Sequence, residues 1–517
     1  MGKSRMYQMM SDLNKLKWSV TYKGILAGVV SGLLVTFYRL GIEYGTEKSL
    51  QAYGFLRLHP IWILPWVLCI AVAGFVTYWL IKLEPCARGS GIPQVEGIVL
   101  LGMKMKWNTI LAVRFVAGIL TSFFGVSLGR EGPSIQIGAC GSQAVAEKLA
   151  KNKLEENYLI TAGASAGLSA AFNAPLSGIM FALEEVHRSF SPNILIAATT
   201  AALTADVVSK SFFGLRPVLS YTQIPQLPIH YYFCLVILGV LCGVVGAIAN
   251  KSLLGIGRLY QKIPAFLHPA VALLIALPCG LLIPQVLGGG QSLIQLSERA
   301  GAGIAMMIVY LVVKMVFTCT SFGSGIPGGI FMPILSFGAL TGCIFGQAIS
   351  MMGLSAKYIP IFCVCAMAGV LSGSVKSPVT SILLMAEMTG SLVHLLPVAA
   401  VAFIALLTSD LLKVSPIYEV LLERIAGQSK EDTRRKKPGA VLEIPVELGS
   451  QAAGKMVKEV PWPEGALIVG LNRGRQEFVP NGNTQIVQGD YLVVLSTKQR
   501  YGEMQKALTA LCRSRSF

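Results

Sequence analysis

Gly129-Arg130-Glu131-Gly132-Pro133 sets a guanidinium and a carboxylate inside one of the most apolar stretches of an apolar chain, between the runs 115–128 and 134–139. Charge at membrane depth costs roughly 2.5–3.5 kcal/mol per residue on insertion scales, so it is retained for a function. Glycines flank the pair, and the proline stands at the expected first position of a helix, where a missing N–H costs nothing. The pattern predicts a broken helix whose unpaired N–H groups face an ion.

The rest of the composition agrees. Of 517 residues 53% are hydrophobic and only 13% charged, with mean hydropathy +0.63, whereas soluble domains carry about 25% charged residues. This is an integral membrane protein. Apolar segments near the roughly 20 residues that a crossing needs run over 24–42, 61–81, 110–128, 232–249, 271–286, 304–318 and 396–412. Shorter Gly/Pro-rich apolar pieces lie between them, at 134–146, 159–183, 330–349 and 363–388. Interrupted helices survive in lipid only where protein or a wet cavity satisfies the backbone. A transporter or channel is expected, not a set of simple anchors.

The formal net charge is +17, and its basic residues cluster beside membrane segments: Lys3, Arg5, Lys15 and Lys17, then Lys430, Arg434, Arg435, Lys436 and Lys437. Lys/Arg in such places marks the cytoplasmic side, so both ends are expected there, with an even number of crossings. The lipid bilayer is the expected partner and nucleic acid is not. Residues 1–18 lack a cleavage site, and no secretory signal is read. The 11 cysteines contain no C-x-x-C pair and read as buried reduced thiols. No HExxH, phosphate loop or TVGYG-type filter occurs; an enzyme, a metal centre and a potassium filter are not expected.

Three regions follow. Residues 1–425 form a membrane unit, 426–440 a polar basic linker around GQSKEDTRRKKPG, and 441–517 a small soluble α+β domain. In the last, 440–445, 466–471, 477–480 and 491–496 read as strands and 450–460 and 501–511 as helices. The membrane unit repeats itself. A shift of 203 aligns Leu168-Ser169 with Leu371-Ser372, Pro175 with Pro378 and Glu184 with Glu387; a shift of 200 aligns Gly129, Pro133 and Gly138-Ala139 with Gly329, Pro333 and Gly338-Ala339. A shift of 199 sets Gly89 and Gly91 against Gly288 and Gly290. Two halves with matching interrupted segments point to a midplane ion site. If each half crosses an odd number of times, the halves are inverted. Glu131, Glu185 and Ser90 fall opposite Phe331, Met388 and Gly289, so these polar groups occur once.

Three glycine-flanked stretches precede apolar helical segments: Gly89-Ser90-Gly91-Ile92-Pro93, the 129–133 motif, and Gly325-Ile326-Pro327-Gly328-Gly329-Ile330-Phe331-Met332-Pro333. Helix N-termini present free N–H groups and about half a positive charge. Several such ends converging would hold a dehydrated anion without trapping it.

These motifs, with AAFNAPLSGIMFALEE at 170–185 and Ser415-Pro416-Ile417-Tyr418, resemble the CLC family of chloride channels and proton/chloride antiporters across residues 20–425. The resemblance implies an all-α polytopic membrane fold of two inverted-topology repeats with broken helices, forming a homodimer with one pathway per subunit. It implies that the Ser90 and Tyr418 hydroxyls and the Ile330 and Phe331 amides hold a central chloride. Gly89 and Ser90 would line an inner site, and Arg130, Glu131 and Gly132 an outer one, with Phe331 and Met332 opposite. Glu131 would be the external gate and Glu185 the internal proton-transfer acid of an antiporter exchanging chloride for protons; a solvated cytoplasmic acid is the other reading of Glu185. The alternative function is a passive voltage- or pH-gated chloride channel. No cofactor is implied. Gln94 departs from the Glu of many relatives, while Arg114 matches a family basic position or serves a helix–helix ion pair. The tail, 442–511, resembles the TrkA-C (RCK-C) fold, which implies dimerisation or a small-molecule ligand and a bacterial plasma membrane.

Overall fold

The computed structural model describes residues 2–215, 217–219, 224–434, 440–447, 449–473, 476–496 and 501–512. The side chains of both basic clusters, 3–17 and 430–437, lie outside the described residues, as do 435–439 of the expected linker. Helices α1 (Gly2–Leu58), α2 (Ile63–Leu83), α3 (Ile92–Leu101), α4 (Trp107–Ser122), α5 (Glu131–Leu149), α6 (Lys153–Phe172), α7 (Pro175–Phe181) and α8 (Pro192–Phe213) form one half. The second half repeats them in order as α9 (Tyr232–Tyr260), α10 (His268–Leu282), α11 (Gln291–Glu298), α12 (Ile304–Gly323), α13 (Phe331–Met351), α14 (Ile359–Val375), α15 (Pro378–Thr389) and α16 (Leu395–Leu411). The packing repeats too: α1 rests on α5, α6 and α8, and α9 on α13, α14 and α16. Helix α17 (Ile417–Arg434) then carries the chain through most of the expected linker.

The halves are joined by bonds that come in reciprocal pairs. Gly129 N–H donates to Gly329 O and Gly329 N–H to Gly129 O, both at 2.7 Å, in an antiparallel bridge. Gly89 N–H donates to Gly325 O (3.2 Å), and its counterpart Gly288 N–H to Gly125 O (3.3 Å). Within each half, Ser169 Oγ bonds Ala202 O as Ser372 Oγ bonds Ala402 O. These are the repeated halves that the 200-residue shift predicts. Helices α5 and α6 approach closely because Gly138 and Gly163 meet: a Cβ on Gly138 would lie 2.2 Å from Gly163 O.

Among the described residues, eight helices are long and apolar enough to cross a membrane, including Trp18–Leu58 of α1 and all of α8. The protein is a multi-pass membrane protein. Two expected spans, 110–128 and 396–412, are instead the shorter helices α4 and α16. Helix α8 was not among the expected spans. Pro133 is not the first helical residue but the third, since α5 starts at Glu131 and Pro333 repeats the placement in α13.

The tail is a four-stranded antiparallel sheet, β1 (Ala440–Pro445), β2 (Leu467–Arg473), β3 (Gln476–Phe478) and β4 (Tyr491–Ser496), in the order β1-β4-β2-β3, with α18 (Tyr501–Cys512) against it. Leu442, Ile444, Leu471, Leu492, Val494 and Leu508 form its core. The helix expected at 450–460 is absent apart from one 3₁₀ turn, Val457–Glu459. Gly449 and Gly454 take φ of 78° and 84° there. The local N–H groups bond elsewhere, Ala452 to Leu511 O, Gly454 to Ile486 O and Val457 to Thr484 O.

Candidate functional site

The N-termini of α5 and α13 meet at the Gly129–Gly329 bridge. Their first helical bonds are Ser134 N–H to Arg130 O (2.9 Å) and Ile334 N–H to Ile330 O (3.0 Å). The N–H groups of 130–132 and 330–332 therefore stand outside the helical ladders, and the prolines that follow have none to leave over. Two positive helix ends converge on one point.

Glu131 lies at that point, 1% exposed. Its carboxylate is buried between the two helix starts, and Oε2 has no hydrogen-bond partner among the described residues. Gly129 makes room for it, since a Cβ there would sit 2.1 Å from Glu131 Oε2. Arg130 turns away and pairs with Glu43 on α1, which also binds Arg39.

Ser90, in the loop before α3, abuts Gly132: a Cβ on Gly132 would be 2.5 Å from Ser90 Oγ. Tyr418, at the start of α17, is fully buried beside it. Ser90 Oγ and Tyr418 Oη have no hydrogen-bond partner among the described residues. Buried hydroxyls left this way cost about 1–3 kcal/mol each, so the arrangement suits a small acceptor ion between them. The structure thus brings Ser90, Glu131, Gly132, Phe331, Met332 and Tyr418 together around one locus. The Gly89 amide differs from expectation: it is taken by Gly325 O, while its carbonyl accepts from Arg114 Nη1 (2.7 Å).

Arg114 is buried and bonds Gly89 O, Ser90 O and Gln136, so its partners are oxygen dipoles and not a carboxylate. Its counterpart under the 200-residue shift is Lys314, which had no place in the sequence reading. Lys314 is fully buried, and its Nζ donates to Val286 O (2.8 Å) and Gly288 O (2.6 Å). Each half therefore holds its glycine loop with one buried basic side chain, and the repeat shift alone would have found the second.

Glu185 lies in a wide π-helical turn, Ala182–Val186, after α7. It is 5% exposed, and its Oε2 accepts from Ser377 Oγ at 2.7 Å, so it is no solvated surface acid. Glu184 caps α15 through Thr380 N–H (2.8 Å), Thr380 Oγ1 and Val379 N–H. Glu387 caps α7 through Leu176 N–H, Ser177 N–H and Ser177 Oγ. The structural reading of Glu184 is the observed one. Glu96 on α3 is buried with neither carboxylate oxygen hydrogen-bonded, 3.8 Å from Arg188. Gly163-Ala164-Ser165-Ala166-Gly167 has nucleophile-elbow spacing but lies inside α6, where Ser165 Oγ donates to Ala198 O; it is a packing motif. Among the described residues no His/Cys/Asp/Glu group is arranged to hold a metal.

The model of the voltage gated chloride channel family matches residues 69–410, and that of the TrkA-C domain matches 441–509. A Salmonella paratyphi A protein named H(+)/Cl(-) exchange transporter ClcA is 30% identical over 443 residues, 83% of this chain and 93% of that protein. A solved slow cyanobacterial Cl−/H+ antiporter superposes with TM-score 0.75 at 26% identity, covering 80% of this chain and 99% of that one. A CLC-type fluoride/proton antiporter shares the fold at TM-score 0.64 and 23% identity, over 75% and 95%. With two thirds of its length matched by one family model and a 30%-identical relative spanned almost end to end, the chain belongs to the CLC voltage gated chloride channel family, with a TrkA-C domain following its membrane unit.

Proposed function

We propose that the protein is a secondary active antiporter exchanging chloride for protons across a bacterial plasma membrane, with cytoplasmic termini and one pathway in each subunit of a homodimer. The observation that carries this reading is a pair of buried carboxylates, Glu131 and Glu185, both within electrostatic reach of the buried Tyr418 hydroxyl. Chloride is held between Ser90 Oγ, Tyr418 Oη and the amides of Ile330 and Phe331. The outer site is bordered by the amides of 130–132, with Phe331 and Met332 opposite. The inner site rests on the Ser90 amide, with Gly89 engaged through its carbonyl.

Glu131 acts as the external gate. Ionised, it lies across the outer site on the amides that would otherwise hold chloride; protonated, it loses that attraction and leaves. Glu185 hands protons to and from the cytoplasm, supported by its burial and its Ser377 bond. No cofactor takes part. The TrkA-C domain contributes to dimerisation or takes a small-molecule ligand. The relatives named as proton/chloride exchangers favour the same reading.

Purified protein in liposomes, driven by a chloride gradient alone, decides it. Uphill proton movement is expected in the wild type and is lost in Glu131→Ala and Glu185→Ala. Chloride flux with no proton movement in the wild type would leave a passive chloride channel.

A further inference from the structure

Tyr491 opens β4. Strand alternation turns Leu492 and Val494 into the core of the tail and Tyr491 to the opposite face. An aromatic on that outer face would meet water, yet Tyr491 is 6% exposed, because the membrane unit covers it. It belongs to one buried cluster with Leu154, Tyr158, Leu183 and Ala198 of the membrane unit, and its Oη accepts a hydrogen bond from Asn157 Nδ2 at 3.0 Å. Gly489, at φ +87°, brings the preceding turn against Asn152, the N-cap of α6.

The same stretch of α6 touches the turn that holds Glu185. Thr161 Oγ1 lies 3.1 Å from His187 Nδ1, and the rings of Tyr158 and His187 are 6.2 Å apart. His187 N–H bonds Ala182 O at 2.9 Å, closing the wide turn. Inside that turn Glu185 meets Ser377. A contiguous line of contacts therefore runs from the tail through α6 and His187 to Glu185. Neither the Asn157 bond nor the buried cluster around Tyr491 includes Ser90, Glu131 or Tyr418.

We infer that Tyr491 is a positioning residue for proton transfer: the docked tail holds the first turns of α6, and through them the turn that aims Glu185. The inference rests on the antiport reading, since it assigns the tail a hold on the proton branch and not on the chloride branch. Undocking the tail loosens proton transfer while chloride still passes.

The test uses the full-length protein in liposomes under a chloride gradient, with proton and chloride fluxes read separately. Tyr491→Ala should lower proton flux by roughly two- to thirtyfold and chloride flux by less than about twofold, so the proton-to-chloride ratio falls. Tyr491→Phe and Asn157→Ala both remove the Asn157–Tyr491 hydrogen bond and should lower the ratio by roughly two- to tenfold. They decide the matter even if Tyr491→Ala does not fold. A ratio equal to wild type in these variants, or a parallel fall of both fluxes, overturns the inference. A wild type that moves no protons removes the antiport reading itself, a different result from a coupled wild type indifferent to Tyr491.

Discussion

At the scale of single residues, Gly129 does two things that no other residue allows. It exchanges a pair of main-chain hydrogen bonds with Gly329 and leaves room for the Glu131 carboxylate. Gly129→Ala should drive that carboxylate off the amides of the outer site and lower proton flux on the order of ten- to a hundredfold, the scale of losses from displacing a reacting group by about 1 Å. Chloride flux that persists while proton flux collapses would bear this out; unchanged proton flux would refute it. Lys314 offers a test of a different kind. Lys314→Met strips the donor from Val286 O and Gly288 O, and each orphaned buried acceptor costs about 1–3 kcal/mol. A lowered unfolding temperature in detergent is expected, with Lys314→Arg milder. The 129–133 motif was readable because charge in an apolar run is rare. The role of Ser377 was not, because a serine before a proline looks like an ordinary helix cap.

At the scale of helices, the reciprocal caps are the distinctive device. Glu184 satisfies the start of α15 from the first half, and Glu387 satisfies the start of α7 from the second. Removing a capping side chain typically costs about 0.5–2 kcal/mol. Glu184→Ala and Glu387→Ala should each destabilise by that order and to a similar extent. The double variant should depart from additivity, since α7 and α15 pack on each other. Thermal unfolding of the three variants reads this directly, and strict additivity would count against a shared interface. The Glu184–Glu387 match was legible in the 203-residue shift, though not that the two caps cross between halves. Helix α8 escaped notice for a physical reason: its Ala, Thr, Asp206 and Lys210 dilute the apolar signal. Its counterpart α16 is plainly apolar, so the repeat could have found α8. The helix misread at 450–460 shows the opposite failure, a helical composition overruled by glycines at positive φ and by partners far along the chain.

Across the whole molecule, both ends of the chain bear on the first turns of α6. From the N-terminal side Lys23 on α1 makes a buried ion pair with Glu155 at 2.6 Å, and Ser19 adds a hydrogen bond. From the C-terminal side the tail sets Tyr491 against Leu154, Asn157 and Tyr158. Breaking a buried pair by removing one partner costs about 3–5 kcal/mol, so Glu155→Ala should be among the more damaging substitutions outside the ion site, read as loss of folded dimer or monomer on gel filtration. The halves, the candidate ion locus and the tail were all visible as separate passages of sequence. The seat of the tail was not, because a single outward tyrosine carries no periodic signal.

The bonds that cross between Gly129 and Gly329, and from each capping glutamate to a helix of the other half, have a consequence for descent. Each is a bond that two identical half-length chains would form twice if they met head to tail across a two-fold axis in the bilayer. An ancestor one half as long could have closed the same interface as a pair, inserted in both orientations, before its gene was copied and joined. Fusion freed the two copies to differ, and at the axis they do: one carries a glutamate two residues past its glycine where the other has a phenylalanine. Directionality, which a symmetric pair cannot possess, enters with such unshared groups, Glu131, Glu185 and Ser90 among them.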